Sequence, residues 1–71
     1  MDNRMKEIPK VEIKDKLNLT IREAAIYSNI GINKIEDMVR QPNCPFVLYI
    51  GRKKLIKRNE FEKYLEKVIE L

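Results

Sequence analysis

The chain has 71 residues, 15 basic and 11 acidic, with no His, a single Cys and a formal charge of +4. That length holds one small domain, and without His neither a Cys/His zinc site nor a His-activated nucleophile can be assembled. Cys44 has no disulfide partner, and two glycines do not make a phosphate-cradling loop. No catalytic residue, metal or cofactor is therefore expected, and Cys44 reads as a filler residue, since free Cys is usually simply buried. The longest apolar run, Phe46–Ile50, is far short of the ~20 residues of a membrane span. The start of the chain has no apolar stretch like a secretion signal. The expected compartment is the cytoplasm, with no membrane partner.

Residues 1–16 read as a partly flexible segment, frayed at its start, in which Ile8, Val11 and Ile13 around Pro9 allow a short edge strand. Residues 17–71 form the domain. Thr20-Ile21-Arg22-Glu23 is a capping box and predicts a helix with an apolar stripe at Ile21, Ala24 and Ala25. Gly31 is expected to end it in the left-handed conformation. Asn33-Lys34-Ile35-Glu36 reads as a second cap, starting a helix with Ile35, Met38 and Val39 inward and Pro42 and Pro45 beyond its end. Two short helices around a tight turn suggest a helix-turn-helix. Phe46–Ile50, Gly51-Arg52-Lys53 and Lys54–Lys57 read as strand, turn and strand. Asn59-Glu60-Phe61-Glu62 is read as a third capping box, before a last helix with Phe61, Tyr64, Leu65, Val68 and Ile69 on one face. The expected fold is a small α+β winged helix-turn-helix.

The charge is uneven. Arg52–Arg58 contains five basic residues and no acid, so the rest of the chain sums to −1, and Glu60–Leu71 alone to −2. Lys and Arg on a hairpin also discourage edge-to-edge aggregation, which is the plainest account of such a cluster. Its place directly after a helix-turn-helix favours contact with DNA phosphates instead. The second helix is nearly neutral. Its Asn33, Lys34 and Asp37 have the chemistry to meet adenine, guanine and cytosine edges, and Arg40 either reaches a phosphate or pairs with Glu36.

These features resemble the small winged-helix excisionases of bacterial conjugative transposons and prophages, which are related to the DNA-binding domains of the MerR class. The likeness lies in Leu19–Ala25, Ile30–Ile35, Pro45–Val47, Ile50–Lys53, Ile56–Arg58 and Phe61–Leu65. The resemblance implies an architectural protein without chemistry of its own. It would bind double-stranded DNA at arm sites of a mobile element, bend it, and direct a tyrosine-family integrase toward excision. It places Asn33, Lys34, Asp37 and Arg40 on the recognition helix, Arg52, Lys53 and Lys54 on the wing, and Arg22 beside a helix start that can hold a phosphate. Three features depart from the pattern: Asp37, where a basic residue is expected; Lys54, where an apolar one is; and Leu55-Ile56, which leaves the inward face of the second hairpin strand ambiguous. With attraction concentrated in one hairpin, tight binding is expected to need several copies associating on DNA, or the integrase. A chain ending at Leu71, with no dimerising helix, favours an excisionase over a transcriptional regulator of the same fold. A third reading makes the last helix a protein-interaction module, with Ile69 and Leu71 protruding.

Overall fold

The computed structural model describes residues 10–71. A 3-10 turn, Ile13–Asp15, leads into strand β1 (Asn18–Leu19). Helices α1 (Ile21–Ser28) and α2 (Ile32–Val39), strands β2 (Val47–Ile50) and β3 (Lys53–Lys57), and helix α3 (Arg58–Lys67) follow. The result is a small α+β fold with one three-stranded antiparallel sheet in the order β1-β3-β2.

The predicted capping box is present at α1. The Glu23 N–H donates to the Thr20 hydroxyl at 3.0 Å and the Thr20 N–H to the Glu23 carboxylate at 3.0 Å. Such a cap stabilises a helix by about 1 kcal/mol. The helix does not end at Gly31. Asn29 takes the left-handed conformation, at φ 62°, and its N–H closes on the Ala25 carbonyl at 2.8 Å. Asn tolerates that region, and the Ser28 hydroxyl braces the turn by donating to the Ala24 carbonyl and accepting from the Ile30 N–H. Gly31 is extended, at φ −61°, and precedes α2 as its N-cap. Asn33 accordingly lies inside α2 and caps nothing.

The third capping box is also absent. Helix α3 begins at Arg58, directly off β3, with no side-chain cap. The junction is fixed by the sheet instead: the Lys57 N–H donates to the Phe46 carbonyl at 2.7 Å and the Arg58 N–H to the Leu17 carbonyl at 3.1 Å. At its other end α3 stops at Lys67, and Val68 is extended. Val68 and Ile69 are β-branched, weak helix formers, and Ile69 finds no core to pay for continuing, being fully exposed.

The core comprises Leu19, Ala24, Ile35, Met38, Val39, Phe46, Ile56 and Phe61. Phe46, buried in it, is edge-on to Phe61 (centroids 5.1 Å apart) and to Tyr64 (5.3 Å). Ile13 packs against this core, so the packed unit starts before residue 17. The short N-terminal strand lies at Asn18–Leu19, where Leu19 pairs with Ile56, and Ile13 belongs to the 3-10 turn. The expected fraying, and the parts of Ile8 and Pro9 in an edge strand, fall outside the described residues. Cys44 is half-buried against the core. No helix among the described residues is long and apolar enough to cross a membrane.

Candidate nucleic-acid interface

The β2–β3 hairpin closes through Gly51 and Arg52, with Ile50 opposite Lys53. Gly51 has φ +58° and Arg52 a negative φ, the signs of a type II′ turn, whose first position favours glycine. Strand alternation settles the inward face: Ile56 is fully buried, while Leu55 lies half-buried on the other face with Lys53 and Lys57. Lys54 points to the same side as Ile56, opposite Tyr49 but past the edge of the core, and is exposed. Arg52, Lys53 and Lys54 are all exposed, and none forms an ion pair with another described residue. Lys57 is likewise exposed and unpaired, a candidate that the period-two spacing from Lys53 through Leu55 marks in the sequence.

Arg58, the last cation of the run, is committed elsewhere. Its Nε donates to the Lys16 carbonyl at 2.7 Å and its guanidinium to the Glu62 carboxylate at 3.2 Å. Glu62 also accepts from the Tyr27 hydroxyl, which ties α1 to α3. The Tyr27 hydroxyl and then Arg58 hold the Glu62 carboxyl below its ordinary value, and the same bond to Glu62 raises the Tyr27 hydroxyl above its own. Lys16 pairs with Glu23, whose carboxyl is lowered first by that bond and then by the Thr20 backbone.

On α2, Asn33, Lys34 and Asp37 are all exposed, and Arg40, expected on the same helix, is exposed one residue past its end as the C-cap. Arg40 pairs with Asp37 one turn back, not with Glu36. Lys34 has no ion pair among the described residues and lines a shallow cavity with Asp37, Gln41, Tyr64 and the tail residues Glu70 and Leu71. Arg22 is exposed in the first turn of α1. At the helix start beside it the Glu23 carboxylate accepts from the Thr20 N–H and the Thr20 hydroxyl from the Glu23 N–H, so two of the N–H groups there already have partners. Helix α1 packs against both α2 and β3, so the α2 face and the hairpin share one framework. Ile69 and Leu71 are exposed beyond α3. No group of His, Cys, Asp and Glu among the described residues is placed to hold a metal.

Comparison with protein-family models, with characterised proteins and with solved structures yields no match.

Proposed function

We propose that this protein is a winged-helix DNA-binding protein of the excisionase kind. It would bind double-stranded DNA at a mobile element, bend it, and direct a tyrosine-family integrase toward excision, without catalysing a reaction itself. The observation that carries the reading is the hairpin: Arg52, Lys53, Lys54 and Lys57 are exposed cations with no acidic partner among the described residues. Clustered cations of this kind are the footprint of phosphate binding. In this reading α1, the three-residue turn and α2 are the helix-turn-helix, and the hairpin is the wing. Asn33 and Lys34 are available to base edges, whereas Asp37 and Arg40 neutralise each other until one of them finds DNA.

The test is DNA binding by the full chain over a range of salt concentrations. Replacing Arg52, Lys53 and Lys54 together by Ala should weaken binding to every sequence. It should also flatten the log-log salt slope by two to three, at about 0.9 for each lost phosphate contact. An unchanged slope would make the hairpin a bystander. The excisionase role is tested by reconstituted, integrase-dependent excision of the element. No stimulation at saturating protein leaves a transcriptional regulator of this fold as the better account.

A further inference from the structure

Strand β2 is an edge of the sheet. The two-residue loop makes Ile50 and Lys53 a hydrogen-bonded pair, and the bond from the Lys57 N–H to the Phe46 carbonyl shows the same phase at the far end. Antiparallel ladders alternate, so Phe46, Leu48 and Ile50 turn their N–H and C=O groups toward β3, and Val47 and Tyr49 turn theirs outward. No described residue bonds these outward groups. Natural sheets blunt an edge with charge, proline, bulges or short length. The other edge, β1, is only two residues long. By contrast β2 is Val-Leu-Tyr-Ile, uncharged and free of proline, with Tyr49 58% and Ile50 53% exposed.

We propose that β2 is a self-association edge, where a second copy of this chain adds its own β2 antiparallel about a two-fold axis at Leu48. Two features of the edge suit that occupant and orientation. The outward groups lie symmetrically about Leu48, so Val47 of each copy faces Tyr49 of the other. Every outward N–H then meets an outward C=O, giving four hydrogen bonds with none left over. The cations, moreover, lie at one end of the strand, on Arg52, Lys53 and Lys54. Antiparallel addition sends the two cationic turns to opposite ends, whereas parallel addition would set them side by side. The two β3 strands are then three strand spacings apart, about 14 Å, beyond the Debye length of ~8 Å at physiological salt. Leu48 meets Leu48 of the second copy as a close non-hydrogen-bonded pair on the outer face. An edge of four residues buries far less than the ~800 Å² per partner of a stable dimer, so association is weak in free solution. If the hairpin holds DNA, as proposed above, the oppositely directed tips engage two DNA segments at once.

The test uses the full chain without DNA, from micromolar to millimolar concentration, by sedimentation and by amide hydrogen exchange. The mass should rise toward twice the monomer. The Val47 and Tyr49 amides should gain protection with concentration, while Leu48 and Ile50, already bonded to β3, should not change. Tyr49→Pro removes an outward N–H without breaking a bond inside the hairpin, and Leu48→Lys sets two cations across the two-fold axis. Each should abolish the concentration dependence. A chain that stays monomeric at millimolar concentration, associates without protecting Val47 and Tyr49, or still associates in both variants overturns the proposal. These outcomes are independent of DNA. A dimer that forms while DNA binding fails would sink the earlier reading and leave this one standing.

Discussion

Arg52 and Arg58 belong to the same basic heptapeptide, yet one sits in an exposed turn with no partner and the other is held by a carbonyl, a carboxylate and its own backbone bond. The difference follows from where β3 ends. At the turn the chain has left the core, and side chains at 52–54 have only water to face. At the junction the chain passes beside Leu17 and enters α3, and an arginine there can satisfy backbone and side-chain acceptors together. A run of cations in a sequence is thus a mixture of binding groups and structural ones. Counting it as +5 overstates the charge available to a ligand, because Glu62 neutralises Arg58.

The sharpest way to break this contrast is Arg58→Ala. It leaves the Lys16 carbonyl without its side-chain donor and the partly buried Glu62 carboxylate with the Tyr27 hydroxyl alone, and a loss of about 1–3 kcal/mol is expected in denaturant unfolding. Arg58→Lys should recover only part of it, since an ammonium cannot serve both acceptors through a planar fork. A loss as small as that of an exposed cation would show that the junction stands without its clamp.

Acid should reach the junction before it reaches the turn. Glu23 and Glu62 have carboxyls lowered in the folded chain, so the stability they add is fully present above their ordinary unfolded value. It is lost as pH falls below about 4.3 and through the lower folded values. Tyr27, raised by its bond to Glu62, works in the other direction: its contribution is lost as pH climbs past the ordinary tyrosine value through the raised one. Glu23→Gln keeps a capping side chain but cannot pair with Lys16 as an ion. It should lower stability modestly at neutral pH and make the acid-induced loss shallower, as read from unfolding free energies across the acid range. Parallel pH profiles for the two proteins would show that the pair contributes nothing to folding.

Features set by neighbours in the chain were legible in the sequence. The Thr20–Glu23 box needs only four residues, and the hairpin only its β-branched and aromatic strands and Gly51. Where a contact comes from a distant segment, local pattern misleads. Asn59 has the spacing of a cap, but bonds from Lys57 to Phe46 and from Arg58 to Leu17 start α3 one turn's fraction earlier. Ile69 continues the apolar repeat of α3, yet the core is already filled by Phe46, Phe61 and Tyr64, and the repeat has nothing to pack on. Gly31 carries the signal of a helix stop because glycine is the commonest left-handed residue, but Asn29, two positions earlier, takes that conformation first. Among the candidate site residues, exposure at the turn follows from composition. The pairing of Arg40 with Asp37 in preference to Glu36 is a choice between two helical spacings that the pattern leaves open.

The smallest effect belongs to the turn itself. Arg52, Lys53 and Lys54 touch no acid and cover no core, so replacing all three by Ala removes like-charge repulsion and exposed side chains, and little else. Surface substitutions of that kind change stability by about 0.5 kcal/mol or less each. Relieving repulsion among three adjacent cations offsets part of any loss of strand propensity at 53 and 54. The unfolding midpoint should therefore stay near that of the parent chain, in the same samples whose DNA affinity and salt dependence have fallen. A triple variant as unstable as Arg58→Ala would mean that these cations also hold the hairpin in shape, and its weakened DNA binding could no longer be assigned to lost phosphate contacts.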